Sequence, residues 1–298
     1  MNVEVCAAIV TYHPGADFER AVRLLRPQVG RVLVVDNHSD EVEIEELRTL
    51  AQELDFVLIE NSDNYGLGAA LNQSIEWAKR HTECEFILFL DQDSLPSETF
   101  VAEMVAEYRR HSDNERIFLV MPSIIHRRTG EKYLHYMHQG KYLVAQTSGS
   151  LMPLTIFADE GLYKEDLFVD YVDYEFCLRL ASRGLKIVCC QSAVLYHDPG
   201  NATQFTVLGI RKITAANYSP LRKYYLMRNG VWTITKYRSL YPEWAIAHSW
   251  QMLKGMMRVL LFEQNRASTI VMWMHAIRDV RRSRFGRYRG RYPRTMNA

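Results

Sequence analysis

Asp91-Gln92-Asp93 follows the apolar run Phe86-Ile87-Leu88-Phe89-Leu90. Two carboxylates two residues apart, at the carboxyl end of a buried strand, can converge on a divalent cation and through it on a diphosphate. Acidic pairs at strand ends also serve as solvated turn residues, so the spacing alone has two readings. A second polar segment, Val34-Val35-Asp36-Asn37-His38-Ser39-Asp40, sets Asp36 and Asn37 just past another strand-like run. An acid and an amide there can pair with a pyrimidine base and its ribose, while Ser39 and Asp40 equally suit the cap of a helix over Ile44 to Leu50. Between the two lies Asn61-Ser62-Asp63-Asn64-Tyr65-Gly66-Leu67-Gly68-Ala69-Ala70-Leu71-Asn72, a turn that leads into a helix. Gly66 and Gly68 permit positive φ and close backbone approach, and the free N–H groups at the helix start suit an anion. The segment lacks the third glycine of a dinucleotide fingerprint and the lysine of a Walker loop, so a plain capped turn is the alternative.

The elements that must position these residues alternate in type. Apolar runs at Val5 to Val10, Val32 to Val35, Phe56 to Ile59 and Phe86 to Leu90 are separated by helical spacings such as Phe18, Val22, Leu25 and Val29. This predicts βαβ architecture, in which ligands bind beyond the carboxyl ends of the strands. Those ends carry Thr11-Tyr12, Asp36-Asn37, Glu60-Asn61 and Asp91-Gln92-Asp93. Further on, short strands are expected at Ile117 to Met121 and Tyr142 to Gln146, then the small-residue stretch Thr147-Ser148-Gly149-Ser150, a helix over Val172 to Ser182 and a strand over Lys186 to Cys190. Beyond Ser219-Pro220 the composition shifts to Trp, Met, Tyr and Arg in helical stretches, about Leu221 to Tyr237, Pro242 to Phe262 and Asn265 to Arg282. The expected division is an α/β domain over 1–215, itself divisible at about 95, and a helical region over 216–298 with a basic tail.

The 298 residues, 48% apolar and 24% charged, are those of a globular chain, which excludes disorder and fibrous repeats. A net charge of +1 does not point to nucleic acid, although Arg278, Arg281, Arg282, Arg284, Arg287, Arg289, Arg291 and Arg294 give the end of the chain an affinity for anions. Five cysteines, an odd number without a Cys-x-x-Cys pair, disfavour a disulfide framework and a zinc site and fit a reducing cytoplasm. A strand-like segment from Val3 with no basic leader argues against a secretory signal, and no run reaches the roughly 20 apolar residues of a membrane span.

In this order, Ala8-Ile9-Val10-Thr11-Tyr12, Val35-Asp36-Asn37-His38-Ser39, Asn64-Tyr65-Gly66-Leu67-Gly68-Ala69-Ala70-Leu71-Asn72, Leu90-Asp91-Gln92-Asp93-Ser94 and Asp170-Tyr171-Val172-Asp173-Tyr174-Glu175-Phe176-Cys177-Leu178-Arg179 resemble the family 2 glycosyltransferases, and among them bacterial rhamnosyltransferases. The resemblance spans about residues 4 to 230. It implies an α/β, GT-A-type nucleotide-diphospho-sugar transferase fold, a mostly parallel sheet flanked by helices, with an appended C-terminal helical region. It further implies an inverting transfer of a hexose, best assigned as L-rhamnose from dTDP-rhamnose, to a lipid-linked or polysaccharide acceptor in bacterial surface glycan synthesis. Thr11, Tyr12, Asp36, Asn37, Asn64, Gly66, Gly68, Asn72, Asp91 and Gln92 then form the donor pocket, and Asp91 and Asp93 hold Mg2+ or Mn2+ with His197 as a third ligand. On residues alone, His197 before Asp198-Pro199-Gly200 also reads as a turn residue. Asp173, with Asp170 in reserve, is the acceptor-side base, against the alternative of helix capping. Glu175 is expected to brace Arg179 or the acceptor pocket, and Arg228, in Tyr224-Tyr225-Leu226-Met227-Arg228-Asn229, to approach the diphosphate or close over it, against the alternative of a solvated surface arginine.

The C-terminal region mixes Trp244, Trp250, Met252, Met256, Met257, Leu260, Leu261, Phe262, Met272, Trp273 and Met274 with Lys254, Arg258 and the arginine tail. Such segments suit an anionic leaflet, which places the protein in the cytoplasm or peripherally on the inner face of the membrane. Helix packing or a homo-oligomer is the competing use of the same residues. A different sugar specificity (galactofuranosyl, glucosyl, N-acetylglucosaminyl) and a non-enzymatic polyanion-binding role are the alternative functions.

Overall fold

The computed structural model describes residues 2–112, 115–133, 137–138, 140–197, 203–207, 211–215 and 217–290. In chain order the elements are β1 (Asn2–Thr11), α1 (Asp17–Leu25), β2 (Val29–Asp36), α2 (Glu41–Leu54), β3 (Val57–Glu60), α3 (Leu67–His81), β4 (Phe86–Asp91), β5 (Leu95–Pro96) and α4 (Phe100–Ser112). There follow β6 (Ile117–His126), β7 (Met137–His138), β8 (Lys141–Tyr142), β9 (Leu151–Pro153), α5 (Ile156–Asp159), α6 (Val172–Ala181) and β10 (Lys186–His197). A hairpin of β11 (Thr203–Val207) and β12 (Arg211–Ala215) precedes α7 (Pro220–Tyr237), α8 (Pro242–Phe262) and α9 (Arg266–Arg281).

The chain divides into two compact units, Met1–Glu165 with Val172–Asp198, and Asp166–Tyr171 with Pro199–Ala298. The first is built on a mixed sheet of order β3-β2-β1-β4-β9-β6-β10-β8-β7, with β5 paired to β10. β3, β2, β1 and β4 run parallel; the apolar content of β2, β1 and β4 is buried on both faces, as parallel strands covered by helices require, while the edge strand β3 is half-buried. The register puts Thr11 opposite Asp36, Asp36 opposite Glu60 and Val10 opposite Asp91, so the polar strand ends share one edge. β9 enters antiparallel between β4 and β6, and β10 is parallel to β6 with a register shift between Cys190 and Val194. Across that shift the strand expected over 186–190 continues as one strand ending at His197. The strand expected over 142–146 is confined to Lys141–Tyr142; Leu143, Val144 and Ala145 are buried outside any ladder. Val22 and Leu25 from α1, Phe100 and Met104 from α4 and Val5, Ile9 and Leu88 from the strands belong to one core.

The second unit holds α7, α8, α9 and the antiparallel β11–β12 hairpin. It begins before the boundary at 215 expected from composition, because the hairpin belongs with these helices, and it takes in 166–171, which α7 grips by hydrogen bonds. Tyr224, Tyr225, Met227, Met272 and Ala276 form its core, and Lys223 and Glu263 make a buried ion pair. Among the described residues no helix is long and apolar enough to cross a membrane.

Candidate active site

Asp91 ends β4 and His197 ends β10, two strands of one sheet with Asp93 in the turn between β4 and β5. Asp91, Asp93 and His197 each present a ligand atom, and these atoms lie within 4.8 Å of one another. Two hard carboxylate oxygens with one imidazole are a donor set suited to Mg2+ or Mn2+, so the residues fit the ion expected from the sequence. A hydrogen-bonded chain supports the cluster from beneath. The Asp91 N–H donates to Ser148 Oγ at 2.9 Å, Ser148 Oγ meets Ser94 Oγ at 2.8 Å, and Ser94 Oγ lies 3.1 Å from His197 Nδ1, which is 3.5 Å from Asp93 Oδ1. Ser94 and Ser148 are buried, so each hydroxyl is held by its partners rather than by water. Gly149 makes this turn possible: its φ is +82°, and an added Cβ would sit 2.6 Å from Pro122 Cγ.

The other strand ends are tied to one another. Buried Asp36 accepts at Oδ1 from Thr11 Oγ1 (2.9 Å) and Ser39 Oγ (2.5 Å), and at Oδ2 from the Ser39 N–H (2.8 Å). Asp40, rather than Ser39, caps α2, in a reciprocal capping box with Glu43. Gln92 reaches back to β1, accepting from the Tyr12 N–H at 2.8 Å and donating to the Tyr12 and His13 carbonyls at 3.3 Å. Asn37 donates to Asn64 Oδ1 (3.1 Å) and accepts from the Tyr65 N–H (3.0 Å), while Gly66, φ +87° at the start of α3, donates to Asn64 Oδ1 (3.0 Å). The rings of Tyr12 and Tyr65 stand exposed from these loops.

The profile of glycosyl transferase family 2 matches residues 6–154, which contain all of these strand ends except His197. The chain belongs to glycosyl transferase family 2. It is similar to the dTDP-rhamnosyl transferase RfbF of Shigella flexneri, with 27% identity over 253 residues, 79% of this chain and 81% of RfbF. Among solved structures it is similar to the mannosyltransferase PcManGT of Pyrobaculum calidifontis, in complex with GDP-Man and Mn2+, at TM-score 0.57 and 13% identity, covering 94% of this chain and 87% of that one. It matches S. aureus TarS at TM-score 0.57 and 14% identity over 94% of this chain, and spans about half the length of TarS, 49%. The fold is the GT-A fold of these glycosyltransferases.

In this family 2 chain several expected pocket residues face other partners. Asn72 is buried, donates to the Tyr163 carbonyl (3.0 Å) and Glu165 Oε1 (2.9 Å), and accepts from the Tyr163 N–H (3.0 Å). Gly68 lies against the same stretch, where a Cβ would come within 3.1 Å of the Glu165 Cα. Both therefore dock 163–165 onto α3. Arg228 is buried, and its guanidinium donates to Asn229 Oδ1 and to the carbonyls of Gly286, Asp166 and Leu167. Nε, Nη1 and Nη2 are all engaged within the second unit.

Asp173 stands in the first turn of α6, half-buried, with Oδ1 accepting from the Tyr174 N–H at 2.8 Å. Glu175 is buried 3.3 Å from Arg179 Nε, and Arg179 also donates to the Glu160 and Leu162 carbonyls. Asp170 belongs to the second unit, φ +59°, 3.3 Å from Arg222 Nη2. Burial pushes its carboxyl above the usual range, an effect Arg222 partly offsets. Ser94 was not singled out by type or spacing; its only sequence signal is its place directly after the acidic pair. Asp198, Pro199 and Gly200, and Arg291 and Arg294 of the basic tail, lie outside the described residues.

Proposed function

We propose that this family 2 glycosyltransferase is inverting and metal-dependent, and that it moves L-rhamnose from dTDP-rhamnose onto a lipid-linked or polysaccharide acceptor in bacterial surface glycan synthesis. The observation that carries the reading is the convergence of Asp91, Asp93 and His197 at the sheet edge where β1, β2 and β4 end. Likeness to a dTDP-rhamnosyl transferase supports the donor. When bound, Mg2+ or Mn2+ supplies positive charge against the diphosphate that leaves the anomeric carbon. Asp91, Asp93 and His197 would hold that ion. Ser94 and Ser148 fix the orientation of the imidazole and of the β4 end. Tyr12 and Tyr65 offer exposed ring faces to a base, and Asn37 and Asn64 hold the loops that carry them. On the acceptor side Asp173 takes the hydroxyl proton during attack, with Asp170 as the alternative base; a carboxyl raised by burial, as Asp170 is, holds a proton more readily.

The peripheral membrane reading belongs to the same proposal. Ile246, Trp250, Leu253, Met257 and Leu261 form an exposed 3–4-spaced stripe on α8. Exposed Lys254 and Arg258 lie along the stripe, the exposed acid of that helix, Glu243, sits in its first turn, and Glu263 just past its end is buried and paired with Lys223. This balance suits an anionic leaflet on the cytoplasmic side.

The test is release of nucleoside diphosphate from a panel of dTDP-, UDP- and GDP-sugars with Mg2+, Mn2+ or chelator. Preference for dTDP-rhamnose and loss with chelator are expected; equal turnover of UDP-sugars would assign a different specificity. D93A should weaken donor binding at least about 10-fold, and D173N should lower turnover at least about 100-fold with donor affinity kept. Unchanged turnover in D173N removes Asp173 as the base.

A further inference from the structure

The tripeptide Arg228-Asn229-Gly230 of α7 faces the loop 166–171, and each residue serves that loop in a different way. The Asn229 amide nitrogen donates to three carbonyls of it, those of Leu167 (2.8 Å), Val169 (2.8 Å) and Asp170 (3.0 Å). Arg228 donates through Nη2 to the Leu167 and Asp166 carbonyls at 2.9 and 3.3 Å. Its Nε donates to Asn229 Oδ1 at 2.9 Å, which turns the amide so that its N–H groups point at the loop. Gly230 leaves room for Tyr171, whose hydroxyl oxygen would lie 2.7 Å from any Cβ placed there. Both Arg228 and Asn229 are buried, so no water competes for these bonds.

The loop so held has an unfavourable backbone. Phe168, Asp170 and Tyr171 have φ of +68°, +59° and +65°, three left-handed residues among four, none of them glycine. Such conformations persist only where the surroundings over-determine them, and they cluster where geometry matters to function. Two turns earlier on the same helix, Arg222 contacts the Asp170 carboxylate at 3.3 and 3.4 Å. One helix thus governs both the backbone and the side chain of Asp170.

We propose that Arg228 and Asn229 are positioning residues, which hold 166–171 in its left-handed conformation and thereby set the Asp170 carboxyl for work on the acceptor. The inference rests on the reading in which Asp170, the alternative to Asp173, is the acceptor-side base. N229A removes the three hydrogen bonds to the loop and the one from Arg228 Nε without removing charge, and R228K removes the fork that orients the amide. Both should lower turnover of dTDP-rhamnose by water with Mn2+ about 10- to 100-fold, as misplacement of a reacting group by about 1 Å does. Dissociation of dTDP with Mn2+, measured by calorimetry, should stay within about twofold. Amide hydrogen exchange should quicken at 168–171 before it does elsewhere. Y237A, which opens a buried site two turns beyond Asn229 on the same helix, is the control. Wild-type turnover in N229A, or an equal loss in Y237A at a matched fall in melting temperature, overturns the proposal. D170N separates the two claims: full turnover in D170N overturns the base reading, whereas full turnover in N229A beside an inactive D170N overturns the positioning role alone.

Discussion

At the scale of residues, small side chains set the geometry that the charged ones use. Gly149 carries no chemistry, yet its positive φ and the 2.6 Å approach of Pro122 Cγ allow Ser148 to meet both the Asp91 N–H and Ser94. Gly149→Ala should cost about 2 kcal/mol by overpacking and a left-handed Cβ, read as a lower urea midpoint. The same change should weaken Mn2+ binding by titration, since Ser148 moves with the turn; a midpoint within about 0.5 kcal/mol of wild type would show that the turn relaxes freely. Phe168, Asp170 and Tyr171 add strain of about 1 kcal/mol each, which the Arg228–Asn229 hydrogen bonds must offset. None of this was legible in Asp170-Tyr171 as letters, because strain is a property of φ, and φ is set by α7 some sixty residues away.

At the scale of elements, α8 meets the strained loop through His248. Its ring stacks on Trp244 and its Nε2 is hydrogen-bonded to the Tyr171 hydroxyl at 2.8 Å. Burial lowers the His248 pKa to about 4 from 6.5. In that window the unfolded chain binds the proton and the folded one does not, so stability is full above about pH 6.5 and falls as the pH drops toward 4, by at most about 3 kcal/mol. Urea unfolding at about pH 7.5 and about pH 5 should show this loss in the wild type and a flatter response in H248Q. An identical slope in the variant would locate the loss elsewhere. The helices themselves were legible to within a few residues, since Pro220 and Pro242 sit at first helical turns and the apolar spacing of α7 to α9 persists for several turns each. The β11–β12 hairpin was not, because strands of five residues each set only a brief alternation beside the longer helical patterns.

At the scale of the whole molecule, the exposed stripe of α8 makes a prediction about location. Trp250 and Met257 are 58% and 49% exposed, so replacing both with serine should leave the unfolding midpoint within about 0.5 kcal/mol. The double variant should lose flotation with vesicles rich in anionic lipid by at least about 10-fold if the stripe enters the leaflet. Unchanged flotation, with a change of mass in light scattering, would assign the stripe to contact between copies of the chain.

The sequence by itself determined the four parallel strands, the polar groups at their carboxyl ends and membership of the glycosyltransferase superfamily pattern. Local apolar periodicity and residue chemistry are written in neighbouring positions, and the parallel register then carries Thr11, Asp36 and Asp91 to one edge without further information. Tertiary structure alone decided which of those groups remain open to a ligand. Asp36, Asn72 and Arg228 look as available in sequence as Asp93 does, yet hydrogen bonds to Thr11 and Ser39, to Tyr163, and to Leu167 take up their donors and acceptors. A buried polar group must find a partner, and that partner is chosen by the fold across long separations rather than by the residues beside it.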